Sequence, residues 1–187
     1  MPSHNDSADI PEKHLQDYVC PACKNSVTKQ ADNYACTNCS RNYPIILGIP
    51  DFRLRSDRYL SIEEERAKAR RIAEADCTSY SDALDFYYTI TDDVPSRLAA
   101  SYKAYHLQES SNPGINALAL NQDDVLLDVG CGAGGALIEA SRTRSRVIGL
   151  DIGLRWLVLC QKRMQEKGLS VQLVCADIEH PPFDTET

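Results

Sequence analysis

The sequence predicts an α/β protein: a parallel sheet whose strands alternate with helices, preceded by a small metal-held ribbon. Three observations predict it. Cys20-Pro-Ala-Cys23 and Cys36-Thr-Asn-Cys39 form two Cys-x-x-Cys pairs separated by twelve residues. Val125 to Gly135 drives an apolar, strand-type run into a glycine-rich turn, and helix-compatible residues from Ala136 to Ser141 follow. Beyond that turn, apolar segments of strand length alternate with segments of helical spacing, which argues a parallel sheet covered on both faces.

Composition sets the bounds. A chain of 187 residues has room for one medium domain and a small appendage. Its 43% hydrophobic and 25% charged content is that of an ordinary globular protein. No apolar run approaches the ~20 residues needed to cross a bilayer. The first residues, with His4, Asn5, Asp6 and Asp9, have no basic or apolar signal-peptide region. Four of the eight cysteines cluster as metal ligands and Cys77, Cys131, Cys160 and Cys175 sit among other residues as small hydrophobes, which suits reduced thiols and a cytoplasmic setting. The net charge is −7: residues 1–59 carry seven basic and seven acidic groups, so residues 60–187 hold the whole excess. Such a balance gives no strong nucleic-acid signal. Arg53, Arg55 and Arg58 read as solvated surface, with phosphate contact as the alternative.

Residues 1–17 are polar and aperiodic, which predicts a disordered tail. Residues 18–55 form the predicted zinc ribbon. Each knuckle supplies two sulfurs from one tight turn, so Cys20, Cys23, Cys36 and Cys39 suit a closed, tetrahedral, structural Zn2+ site. Too few large apolar residues lie between Cys20 and Cys39 to hold a fold without metal. Strands are expected around 33–35 and 41–46, the Pro44, Gly48 and Pro50 punctuation marks turns, and Phe52 is expected to pack on the part of the chain beyond the ribbon.

Residues 56–120 read as a helical linker or lid. Ser61-Ile-Glu-Glu64 is a capping box opening a helix to about Ala75, read as a solvated connector. A second helix is expected over 82–90. A third runs over 94–108, capped by Asp93, with Pro95 tolerated in its first turn. Tyr102 and Tyr105 lie one turn apart on it and read as core residues, with a ligand or substrate-cavity contact as the alternative, and His106 reads as structural or exposed. A break at Asn112-Pro-Gly114 precedes a short helix over 115–120.

Residues 121–187 carry the alternation: strands over 124–129, 147–151 and 170–175, with helices over 134–143 and 154–167, the latter ending before Gly168. Gly130, Gly132 and Gly134 allow a sharp turn in which backbone can lie against a ligand, with Asp128 two residues ahead. Two ligand classes suit it. Gly130-x-Gly132-x-x-Gly135 also satisfies the dinucleotide fingerprint, which would put a pyrophosphate in the turn. S-adenosylmethionine would put its methionine end there instead. A carboxylate at Asp128 repels a pyrophosphate and complements an ammonium and a sulfonium. Asp151 ends the second strand, where an acidic residue accepts ribose hydroxyls from either ligand, and Ile152 is placed to pack on adenine. Asp177 ends the third strand. The glycine-turn thiol, Cys131, reads as packing rather than as a reactive group.

The run from Val125 to Gly134 resembles the first motif of the class I, Rossmann-like S-adenosylmethionine-dependent methyltransferases. That resemblance implies S-adenosyl-L-methionine as cofactor, with Asp128, Gly130, Cys131, Gly132, Gly134, Asp151 and Ile152 around it. Asp177 matches the family position that accepts from the adenine amine, and the Ile178 N–H meets a ring nitrogen. A complete class I domain has strand order 3-2-1-4-5-7-6, so residues 121–187 correspond to its N-terminal half, with order 3-2-1, and a partial doubly wound sheet is expected. His180-Pro-Pro-Phe183 is similar to the segment that precedes the fourth strand. The first strand would then be an open edge, to be completed by a missing C-terminal half or a partner chain. No catalytic residue is assignable from these residues. The ribbon, with Tyr43-Pro-Ile-Ile-Leu-Gly-Ile-Pro-Asp-Phe52 behind it, resembles the zinc ribbons of methyltransferase activators, and less closely the zinc modules of bacterial rRNA guanine methyltransferases. The expected activity is methyl transfer to an acceptor that stays open among small molecules, RNA and protein. A non-catalytic interaction module and an NAD-dependent oxidoreductase are the alternatives.

Overall fold

The computed structural model describes residues 18–92, 94–108, 113–143 and 145–184. The expectations for the tail at 1–17, for Asp93 as a cap and for a break at Asn112 lie outside the described residues.

The ribbon is an antiparallel sheet, β1 (Val27–Lys29), β2 (Asn33–Cys36), β3 (Asn42–Ile46) and β4 (Ile49–Pro50), in the order β1-β2-β3-β4. Between β3 and β4 a two-residue turn puts Leu47 and Gly48 at φ 54° and 81°. Positive φ at both positions is the hairpin geometry that matches strand twist.

Helix α1 (Ile62–Glu74) starts where its capping box predicts: the Glu64 N–H donates to Ser61 Oγ at 3.2 Å, and the Ser61 N–H donates to Glu64 Oε2 at 2.8 Å. It is not a solvated connector. Glu65, Ala69 and Ile72 form a stripe of helical spacing that is fully buried, packed on α6 (Leu154–Glu166). A carboxylate stands in that stripe because it caps α6: Glu65 Oε2 accepts from the Arg155 N–H at 3.1 Å, where unpaired helix donors favour an anion. Helix α2 (Tyr80–Thr89) is capped by Ser79, which accepts from the Asp82 N–H at 3.1 Å. Helix α3 (Ser96–Leu107) buries no residue, and Tyr102 and Tyr105 are 46% and 69% exposed instead of lying in the core. The i, i+3 spacing puts them on one face, but no element among the described residues covers that face. His106 lies against Trp156, ring centroids 4.9 Å apart. A short α4 (Pro113–Ala117) comes next.

The second sheet contains β5 (Val125–Val129), β6 (Arg146–Asp151) and β7 (Gln172–Cys175), all parallel and in the order β5-β6-β7, with α5 (Gly135–Ala140) and α6 as crossovers. Helix α5 is shorter than the sequence predicts. Leu126, Val147, Leu173 and Cys175 face a core shared with α5 and α6, on which α1 and α2 are layered.

Among the described residues helices cover that face, and the ribbon takes the other. Ile148, Leu150 and Val174 pack with Tyr18, Tyr43 and Phe52. Phe52 is fully buried, its ring centroid 4.9 Å from Tyr18, 5.3 Å from Tyr34 and 5.0 Å from Tyr43. Burial of this one side chain contributes about 1.5–3 kcal/mol. Backbone also joins the two sheets: Asp51 lies beside Cys175 in parallel register, the Phe52 N–H donates to Cys175 O at 2.8 Å, and the Val19 N–H donates to Pro182 O at 3.0 Å. The ribbon stops short of β5. Val125, Leu127 and Val129, on the same face, stay exposed and line an apolar groove with Ile148, Leu150, Ile178 and Phe183.

Candidate functional site

Parallel strands end on one edge of the sheet, and register carries Asp128, Asp151 and Asp177 to that edge: Asp128 pairs with Gly149 on β6, Asp151 pairs with Cys175 on β7, and Asp177 lies two residues beyond. The glycine turn folds back over β6, where the Gly130 and Cys131 N–H groups both donate to Leu150 O, at 2.8 and 3.1 Å. Gly130, Gly132 and Gly134 have φ of 77°, 50° and 78°. They divide the labour. A Cβ at Gly134 would sit 2.5 Å from Cys160 Sγ, so that glycine lets α5 approach α6; at Gly130 and Gly132 a Cβ would meet nothing within 4 Å. The first part of the turn therefore borders open space, as a ligand cradle requires.

Asp151 organises the turn. Its Oδ2 accepts from the Gly132 N–H at 2.8 Å and its Oδ1 from the Gly153 N–H at 2.7 Å. Burial pushes Asp151 above the usual carboxylate range, against those two backbone bonds. Burial, and then the charge of Asp151, push Asp128 up as well. Asp128 is half-buried and receives no hydrogen bond and no cation among the described residues. Two carboxylates thus stand at the glycine turn with no ion-pair partner among the described residues, which disfavours a phosphate and suits a cationic group.

Asp177 stands apart from that pair, in a different environment. Its Oδ1 accepts from the Glu179 N–H at 3.0 Å, and its Oδ2 from Arg55 Nε at 2.6 Å, with His180 Nδ1 3.3 Å away. Burial works against its ionisation, but the Glu179 N–H, Arg55 and His180 outweigh burial and hold the carboxyl below its ordinary value. Ile152 is half-buried, and its carbonyl accepts from Arg53 Nη1 at 3.1 Å. The Ile178 side chain is exposed and belongs to the apolar groove. Cys131 is buried, and burial raises its thiol above the ordinary range, as suits a packing side chain.

Sequence reasoning missed the arginines. Arg53 is buried, holds both Asp51 oxygens at 2.8 Å, and shares that carboxylate with Arg66 at 2.9 Å. Arg55 binds Asp177 and Glu179. Neither is free solvated charge; Arg58 lies over the Tyr59 ring. Arg163, buried on α6, donates to the Ala133 carbonyl of the turn at 3.4 Å and to Gln108 O at 3.1 Å. Most of these partners lie far away along the chain, so no local spacing signals them.

In the ribbon the sulfurs of Cys20, Cys23, Cys36 and Cys39 all lie within 4.8 Å of one another. Cys20 and Cys39 are 3.6 Å apart, Cys23 and Cys36 3.5 Å, close to the sulfur spacing of a tetrahedral site with ~2.3 Å zinc–sulfur bonds. The Asn38 and Cys39 N–H groups both donate to Cys36 Sγ at 3.4 Å. Backbone hydrogen bonding at Asn25 lowers Cys23 to about 6 and hydrogen bonding with Arg41 lowers Cys39, while burial raises Cys20 to about 11, with the Tyr43 hydroxyl 3.0 Å away. The donor set fits a thiolate-binding metal, and no fifth ligand is needed.

Fold and site together define an α/β chain whose parallel sheet carries three aspartates at its carboxyl edge and is braced by a four-cysteine ribbon. Residues 126–187 match the sequence model of the family described as a methyltransferase domain. The match covers about a third of the chain, nearly all of the parallel sheet and all three aspartates. No curated protein matches the chain. No helix among the described residues is long and apolar enough to cross a membrane.

Proposed function

We propose that this chain carries the cofactor-binding part of an S-adenosylmethionine-dependent methyltransferase. The observation that carries the reading is the unpartnered Asp128 beside Asp151 at an open glycine turn. In this reading the cofactor's ammonium faces Asp128, its carboxylate meets turn backbone, and its ribose hydroxyls meet Asp151. Ile152 flanks the adenine, and Asp177 and the Ile178 N–H meet its amine and ring nitrogen. Ribose binding would exchange the Gly132 N–H for ribose hydroxyls at Asp151 Oδ2. Gly130, Cys131, Gly132 and Gly134 contribute backbone, with the Cys131 side chain turned to packing. Bound S-adenosylmethionine supplies a sulfonium methyl: an acceptor lone pair forms the new bond to carbon as the sulfur–carbon bond breaks. The residues of this edge hold and orient that donor, which is the main requirement of an in-line displacement.

The ribbon's four thiolates are proposed to hold one structural Zn2+, with the aromatic side chains behind them bracing the sheet. The free thiols of the described cysteines accord with a reducing, cytoplasmic setting. In the complete fold of the resembled family β5 borders a fourth strand. Its exposed Val125, Leu127 and Val129 lie on the face that a helix of that further half would cover.

Thermal shift separates this reading from a nicotinamide enzyme using the same turn. S-adenosylhomocysteine at a hundred times its Kd stabilises by about 2.7 kcal/mol and is expected to raise the melting temperature, while NAD leaves it unchanged. Protection by NAD and none by S-adenosylhomocysteine would overturn the reading.

A further inference from the structure

The segment that leaves the ribbon, residues 51–55, does more than connect. It comes directly after β4, lies beside Cys175 at the carboxyl end of β7, and sends two arginines onto two loops of the proposed site. Arg53 is anchored on Asp51 and holds the Ile152 carbonyl after β6. Arg55 holds Asp177 after β7, with Glu179 and His180 around the same guanidinium.

The hydrogen-bond count at Asp177 gives Arg55 a specific role. Each carboxylate oxygen accepts up to two hydrogen bonds. Oδ2 takes Arg55 and faces His180, while Oδ1 takes only the Glu179 N–H. One acceptor position on Oδ1 remains, and the guanidinium fixes the plane of the carboxylate that presents it. Arg53 and Arg55 are not equivalent. The Arg53 side chain is fully buried, whereas that of Arg55 is 53% exposed against an Asp177 side chain that is 8% exposed. Arg55 can therefore be replaced without opening the core.

We propose that Arg55 is a positioning residue that orients Asp177 towards the exocyclic amine of the bound nucleoside, so that the ribbon-borne segment sets nucleobase specificity. The inference rests on the methyltransferase reading above. A carboxylate held in this way accepts from a 6-amino purine and repels a 6-oxo purine, whose oxygen is itself an acceptor. Discrimination at that position depends on a fixed carboxylate; a swivelling one loses it.

The test uses the full chain and two ligands, S-adenosylhomocysteine and its 6-oxo counterpart S-inosylhomocysteine, titrated calorimetrically against the native protein, Arg55→Ala and Arg55→Lys. The native chain is expected to prefer the amino ligand at least tenfold. Arg55→Ala is expected to lose about tenfold in affinity for S-adenosylhomocysteine, about 1.4 kcal/mol, with little change for the 6-oxo ligand and a lowered melting temperature at neutral pH, because the ionised Asp177 loses its partner. Arg55→Lys restores part of the preference. An undiminished preference in Arg55→Ala overturns the proposal and leaves the methyltransferase reading in place. Tighter S-adenosylhomocysteine binding in that variant also overturns it, making Arg55 a competitor for Asp177. Failure of the native chain to bind S-adenosylhomocysteine removes the underlying reading instead.

Discussion

Phe52→Ala tests whether ribbon and parallel sheet form one cooperative unit. Phe52 is fully buried and touches three tyrosines of the ribbon side as well as Ile148, Leu150 and Val174 of the sheet. Truncating a buried phenylalanine costs about 3–5 kcal/mol through lost transfer energy and the cavity left behind. The upper half of that range applies, because the ring is enclosed by other rings and by strands that cannot collapse into the space. With a urea slope of about 2 kcal/mol/M, the midpoint should fall by about 2 M. Two probes report on it: fluorescence of Trp156, the only tryptophan, which packs with Tyr87 on the helical side, and zinc release to a chromophoric chelator. Both transitions are expected to shift together. A shift in zinc release with an unmoved Trp156 transition would refute the single-unit reasoning and make the ribbon an independent module.

Two further substitutions probe the glycine turn. Gly134→Ala places a methyl 2.5 Å from Cys160 Sγ at a φ of 78°, and it should cost well over the ~1–2 kcal/mol of left-handed backbone strain. Gly130→Ala, at nearly the same φ but in open space, should cost only that strain; equal losses by urea denaturation would count against the packing role of Gly134. Asp128→Asn should stabilise the ligand-free chain. Burial and the Asp151 charge raise the folded-state value of Asp128, so the folded state holds that proton more tightly, and stability is lost as pH rises from the ordinary ~3.9 through the raised value. The asparagine variant should therefore gain on the native protein as pH is raised from 4 to 7. A variant that melts lower at pH 7, by calorimetry, contradicts the crowding of Asp128 by Asp151.

Local signals carried some of the fold and tertiary pairing carried the rest. The capping box at Ser61, the two knuckles and the β-α alternation from Val125 each act within a few residues, so they were legible. The buried stripe of α1 was not, because Glu65 interrupts its apolar pattern while serving a helix end about ninety residues away. Tyr102 and Tyr105 look like core residues by type, yet core membership depends on what covers a face, and nothing among the described residues covers theirs. Register alone puts the three aspartates on one edge, a consequence of parallel strands ending together. Their separate environments were invisible. Asp128 and Asp151 have no ion-pair partner among the described residues, while Asp177 is matched to Arg55, 122 residues earlier. The ribbon's place on the second face of the sheet was equally hidden, since Phe52 signals burial but not its partner.

The central claim is that the carboxylates at this sheet edge hold an adenosine with a charged amino-acid tail. Asp151→Ala tests it most directly, by calorimetric titration of S-adenosylhomocysteine into the native and variant chains. The account expects native binding and a loss of at least tenfold in the variant, because two ribose hydroxyls lose a charged acceptor. Equal affinities in the two chains would contradict it.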